Sequence, residues 1–115
     1  MSKEEFYNQG MEFFAQDRLD EAIAAYQRAL EEDLNYADAL HALAMTYAQL
    51  GRLDDAIAAA NRLIEVAPDD ELAYTSLSIF YQQKGMTAEA EQLGAQARTL
   101  GWKRQLEEKK QSEKK

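Results

Sequence analysis

The sequence predicts an all-α chain of stacked helix pairs, and three observations carry that expectation. First, the segment "RLDEAIAA" at 18–25 returns 34 residues later as "RLDDAIAA" at 52–59. Met11/Met45, Ala22/Ala56, Arg28/Arg62 and Glu31/Glu65 keep the same lag. A further step pairs Ala39/Ala73, Leu43/Leu77, Tyr47/Tyr81, Gly51/Gly85 and Ala56/Ala90. Chance would scatter such matches, so a single lag marks a tandem array of three units, 3–36, 37–70 and 71–104, followed by a charged end at 105–115. Second, apolar residues within a unit recur at spacings of three and four, the period of a helix face. Third, one proline and five glycines are too little punctuation for an all-β fold of this length.

Seven helices follow, near 3–16, 20–33, 37–50, 54–67, 70–84, 88–100 and 102–111. Ser2 and Glu5 form an S-x-x-E capping box at the first start, and Phe6, Gly10 and Phe13 line one face of that helix. "QDRLD" supplies the turn. Leu19, Ala22, Ile23, Tyr26, Ala29 and Leu30 give the second helix its apolar face. Asn35 and Asp69 are expected to cap the third and fifth helices, and Thr87 the sixth. Gly51 and Gly85 suit the left-handed position that ends a helix. Pro68 falls between units, where its missing N–H costs nothing. A last helix is expected to begin near Gly101, with Trp102 and Leu106 covering the end of the stack, while "EEKKQSEKK" has no apolar residue and should fray.

The two-helix unit with a 34-residue period resembles the tetratricopeptide repeat (TPR) family. Its first aromatic slot holds Phe6, Leu40 and Tyr74, and its Leu-Gly pair reads Gln9-Gly10, Leu43-Ala44 and Leu77-Ser78. The second aromatic slot holds Phe13, Tyr47 and Tyr81; the small-residue slot Ala22, Ala56 and Ala90; the later aromatic slot Tyr26, Ala60 and Gly94; and the proline slot Leu34, Pro68 and Trp102. The resemblance covers 102 of 115 residues. It implies a right-handed α-solenoid of three helix-turn-helix units with a C-terminal capping helix. The residue types agree: small side chains at Gly10, Ala44 and Ser78 and at Ala22, Ala56 and Ala90 let helices approach, and Phe13, Tyr47 and Tyr81 fill the space alongside. One pair cannot cover its own apolar face, so neighbours must stack. The ends depart as terminal repeats should. Ile23 and Ile57 become Glu91, and Leu43 and Leu77 correspond to Gln9.

The net charge of −8 is unevenly placed: 3–36 carries −6 and 37–70 carries −4, while 71–104 and 105–115 are each +1. An acidic first two-thirds opposes nucleic-acid binding, which needs a basic footprint. Cysteine is absent, which excludes disulfides and thiolate chemistry. No apolar run approaches membrane-spanning length, so no membrane insertion is expected and the chain reads as soluble and cytoplasmic.

Catalysis finds little support. His41 is the only histidine, and no nucleophile elbow, zinc-protease or phosphate-loop motif is present. Asp69-Asp70-Glu71 lacks the alternating ligands and glycine of a calcium loop and reads as a helix start. Lys109, Lys110, Lys114 and Lys115 are interspersed with Glu107, Glu108 and Glu113, which suits a solubilising end better than an anion site. No cofactor, no metal and no enzyme activity are expected.

One feature exceeds what stacking requires. Beside Phe6, Gly10 and Phe13, the first helix carries a second stripe, Tyr7, Met11 and Phe14. Its equivalents are His41, Met45 and Ala48, then Thr75, Ile79 and Gln82. In the family that these residues resemble, such positions line a concave groove for partner peptides. A subclass grips acidic chaperone termini there with lysine, asparagine and arginine; the matching residues here, Tyr7, Met11, Ala42, Leu72 and Ser76, supply no positive charge. The expectation is therefore a non-catalytic module that binds an apolar peptide or helix of another protein. The alternative is a structural subunit of a larger assembly, docked through its convex face or ends.

Overall fold

A computed structural model describes residues 1–114. It comprises α1 (Lys3–Ala15), α2 (Leu19–Glu32), α3 (Ala37–Gln49), α4 (Leu53–Val66), α5 (Glu71–Gln83) and α6 (Thr87–Glu113), with no strand among the described residues. Helices pack in sequential pairs, α1 with α2, α3 with α4 and α5 with α6, and the pairs join through α2–α3 and α4–α5. First helices also meet: α1 reaches α3 and α3 reaches α5, whereas among the described residues α2 does not reach α4, nor α4 α6. The first helices therefore sit closer together, on the inner side of a curved array.

The ends of the first helices repeat one device. At Arg18, Arg52 and Met86 the N–H donates back to the carbonyls of Phe13, Tyr47 and Tyr81 at 2.8, 2.9 and 2.9 Å. Asp17, Gly51 and Gly85 precede them with φ of 61°, 79° and 80°. This is a Schellman stop, and it needs a left-handed residue that glycine adopts most readily. Arg18 and Arg52 then fold over the Phe13 and Tyr47 rings, 5.0 and 4.8 Å from the centroids.

Helix starts are only partly as expected. The Ser2–Glu5 capping box is present. Asp70, one residue later than the expected Asp69, caps α5 by accepting from the Leu72 N–H at 3.0 Å. At α3 the cap position is Tyr36, without a side-chain bond, while the Asn35 N–H donates to Asp33 Oδ1 at 3.0 Å. Met86, not Thr87, occupies the cap of α6, because the Schellman stop fixes where the chain re-enters a helix.

Within each pair the close approach is met by a different division of volume. A Cβ on Gly10 would lie 2.3 Å from Tyr26 Cε1, so the tyrosine ring occupies that side chain's space. The second pair sets Ala44 at the Gly10 position and Ala60 at the Tyr26 position, both buried. The third uses Ser78 and Gly94, and the Ser78 hydroxyl donates to the Ala90 carbonyl at 2.6 Å. Bulk on one helix is matched by its absence on the other.

Between pairs, Ala39, Leu43 and Thr46 of α3 and Ala73, Leu77 and Phe80 of α5 are buried. Their equivalents on α1, Glu5, Gln9 and Glu12, are polar, and none of them is buried. Phe80 is among the largest fully buried side chains, a core member that the family slots did not mark.

The expected seventh helix does not exist. α6 runs unbroken from Thr87 through Gly101 to Glu113. Glycine costs a helix about 1 kcal/mol, too little to end one that has no proline following it. Lys103, Arg104, Gln105 and Leu106 are strong helix formers, and Arg104 pairs forward with Glu108 at 3.0 Å. It also grips Glu71 at the start of α5, with Nη2 3.2 Å from Oε1. Gly101 lets that carboxylate close in; a Cβ there would lie 3.2 Å from Glu71 Oε2. Trp102 and Leu106 consequently do not cover the stack and are exposed. The charged end is helical rather than frayed as far as Glu113, and Lys115 lies outside the described residues.

Candidate partner-binding groove

Met11, Met45 and Ile79 occupy one register on α1, α3 and α5, and their exposures are 50%, 44% and 48%. None belongs to either buried cluster. Their helices touch one another along the inner side, so the three side chains form an apolar column there.

The flanking residues divide. Tyr7 packs into the stack: its ring centroid lies 5.9 Å from that of Tyr26 and 5.6 Å, edge-on, from that of Tyr36. Burial first, and then the nearby Asp38 carboxylate, raises its hydroxyl pKa above the ordinary value. Phe14 is half-buried against the first cluster and Ala48 against the second. His41 is half-buried, whereas Thr75 and Gln82 are exposed. The Thr75 hydroxyl donates to the Glu71 carbonyl of its own helix at 3.0 Å. The central column is open, while Tyr7, Phe14 and Ala48 serve mainly to join neighbouring pairs.

Leu72 extends the apolar surface and was not expected to. It is 58% exposed, one turn before Thr75 and two turns before Ile79. The signal was legible: Glu4 and Asp38 hold the same slot in the earlier units, and a leucine there has no stacking partner. Near it, Trp102 is 66% exposed. Leu72, Thr75, Arg98 and Trp102 line one hollow of about 400 Å3.

Electrostatic contacts hold the frame beside this surface. The Lys3 ammonium lies 2.6 Å from Asp33 and 4.8 Å from the Tyr36 ring centroid, which ties α1 to the α2–α3 connection. Its hydrogen bond lowers the Asp33 pKa, with the Asn35 N–H adding to the effect. Arg62 donates to the Leu34 carbonyl of the same connection at 2.6 Å. Among the described residues, no group of three or more His, Asp or Glu side chains is placed to hold a metal ion. None of the helices among those residues is long and apolar enough to cross a membrane.

The 34-residue stacking of antiparallel pairs agrees with a family model described as tetratricopeptide repeat, which matches residues 13–79. The chain belongs to the tetratricopeptide repeat family. Among solved structures it is similar to MamA, at 34% identity and a TM-score of 0.88, over 90% of this chain and 60% of that one. The chain thus spans about three fifths of the MamA chain. Two more distant likenesses bear on the fold alone. One is the second TPR of Spaghetti (RPAP3) bound to the HSP90 peptide SRMEEVD, at 20% identity and a TM-score of 0.81, over 87% of this chain and 93% of that one. The other is YrrB, a TPR protein with an unusual peptide-binding site, at 23% identity and a TM-score of 0.81, over 87% and 52%. No curated protein matches the chain significantly. TPR membership accounts for the paired helices, the small-residue columns and the inner placement of α1, α3 and α5. It does not require Met11, Met45 and Ile79 to be apolar.

Proposed function

We propose that this chain is a non-catalytic protein-interaction module, built from units 3–36, 37–70 and 71–104 with a charged helical end at 105–115, that holds an apolar peptide or helix of a partner protein along its inner face. The observation that carries the reading is the exposed column of Met11, Met45 and Ile79. Apolar side chains left in water at one repeated register mark an interaction surface better than scattered ones do. Methionines adapt to the shape of what they meet. Leu72 lengthens the surface; His41, Thr75 and Gln82 give it a polar margin, and Tyr7, Phe14 and Ala48 its walls. The peptide SRMEEVD bound by the RPAP3 TPR is acidic. Tyr7, Met11, Ala42, Leu72 and Ser76 offer such a ligand no cation. The ligand chemistry fitted here is apolar.

A second reading, an assembly subunit docked through its end or convex face, is favoured by exposed Trp102 beyond the inner column. The two separate by mutation. Met45 is central, so Met45→Glu should weaken a partner isolated by pull-down by about 2 kcal/mol or more, because central desolvated contacts carry most binding energy. Circular dichroism should stay native, since the side chain faces solvent. Normal binding by Met45→Glu, with loss on substituting α2 and α4, would establish the assembly reading instead.

A further inference from the structure

The stack leaves one of its own seats empty. α3 lies in the groove offered by α1 and α2, and α5 lies in the groove offered by α3 and α4. In the first seat Ile23, Tyr26 and Leu30 are buried, and in the second Ile57, Ala60 and Leu63. Among the described residues no helix lies in the third seat, between α5 and α6, because α6 runs straight past Gly101 instead of turning back. Ala90 is the only buried residue of α6.

That seat is open and differs in chemistry from the other two. Ser78, Gln82, Glu91, Gly94 and Arg98 line a hollow of about 710 Å3. Arg98 also borders the hollow of about 400 Å3 that Leu72 and Trp102 line, so the two hollows lie side by side along α6 and are together termed the trough. Its floor is small at Gly94, and at its far end Leu72 and Trp102 stand beside the polar Thr75 and Arg104. Where the buried seats carry Ile23 and Leu30, this one carries Glu91 and Arg98, seven residues apart. That spacing is two helical turns, about 10 Å on one face. Neither charge has an ion-pair partner among the described residues.

We propose that the α5–α6 trough is a second docking site, which takes one amphipathic helix of a partner protein running antiparallel to α6, with an acidic residue opposite Arg98 and a basic residue seven positions later opposite Glu91. The antiparallel direction repeats that of α3 on α2 and α5 on α4. Acid before base also matches the helix dipole of the incoming segment. A small side chain crosses Gly94, and an apolar one near the N-terminus rests on Leu72 and Trp102. The site borders the inner surface at Leu72, Thr75 and Gln82 but needs none of Met11, Met45 and Ile79.

The chain's own α3 supplies the probe. Ala39 and Thr46, seven residues apart, are both buried, and Ala39 packs in the cluster that holds Ile23 and Leu30. A synthetic peptide of residues 36–50 carrying Ala39→Glu and Thr46→Lys should bind the whole chain saturably and shift the emission of its sole tryptophan, Trp102, to the blue. The reversed peptide, with Ala39→Lys and Thr46→Glu, should bind at least tenfold more weakly. In the chain variant Glu91→Arg with Arg98→Glu, that preference should invert. Both positions are exposed, so this variant retains the fold. Equal binding of the two peptides, or no tryptophan shift with either, overturns the proposal. Sedimentation showing that the chain self-associates with Trp102 covered also overturns it, since the occupant is then a second copy.

Discussion

Gly10→Ala isolates the division of volume between α1 and α2. The added Cβ would stand 2.3 Å from Tyr26 Cε1 and 2.5 Å from Cδ1, where carbon atoms normally rest about 3.5–4.0 Å apart. Tyr26 is 2% exposed, so its ring has no free space to retreat into. Overpacking of this kind costs about 1–3 kcal/mol and sometimes more, and the size of the overlap places it at the upper end. Helix propensity opposes that cost, favouring alanine over glycine by about 1 kcal/mol. The net expectation is a loss of about 2 kcal/mol. Tyr26→Ala alone should cost about 3–5 kcal/mol through the cavity it opens. On that background the new methyl meets space, and Gly10→Ala should become stabilising by about 1 kcal/mol. The reversal of sign amounts to a coupling of about 3 kcal/mol between two touching residues. The double variant reproduces the Ala44 and Ala60 pairing of the second helix pair. Urea unfolding of the four proteins, followed by circular dichroism, measures the cycle. If Gly10→Ala costs the same with and without the Tyr26 ring, the volume argument is wrong.

Three further outcomes are expected. Asp17 holds the left-handed place that Gly51 and Gly85 hold elsewhere, so Asp17→Gly should raise stability by about 0.5–1 kcal/mol in the same urea assay. Trp102→Ala, and separately removal of 107–115, should each shift stability by less than about 0.5 kcal/mol, because Trp102 is exposed and the helix beyond it covers nothing; a blue, quencher-resistant Trp102 emission in the free chain would contradict this. Burial pushes the Tyr26 hydroxyl up to about 12. A raised folded pKa gives stability that is whole below the ordinary tyrosine value near 10 and is lost as pH rises towards 12, about 2–3 kcal/mol across that window. Tyr26→Phe should remove this share of the alkaline decline. Asp33 has the opposite sign: held low by Lys3, it contributes above the ordinary carboxylate range and loses that contribution as pH falls through its folded value, so Asp33→Asn should flatten the acid limb.

The sequence by itself determined the repeat, the order of the paired helices and the glycine-bearing stops, because each rests on local pattern. A 34-residue lag, a 3.6-residue apolar period and a residue able to take positive φ are all legible without knowing what touches what. It also singled out Met11, Met45 and Ile79 as apolar beyond the needs of stacking, and the structure leaves all three exposed. Tertiary structure alone decided which flanking residues are partly buried. Tyr7 and Phe14 share a stripe with Met11, but contact with the next pair buries them in part, and that contact depends on how α1 and α3 converge. It likewise decided the fate of Gly101. A glycine followed by tryptophan reads as a break by analogy with the other units. Yet a helix ends only where continuing costs more than stopping, and the Arg104–Glu71 and Arg104–Glu108 contacts favour continuing. From that straight helix follow the exposed Trp102 and the open seat between α5 and α6, neither of which local pattern could foretell.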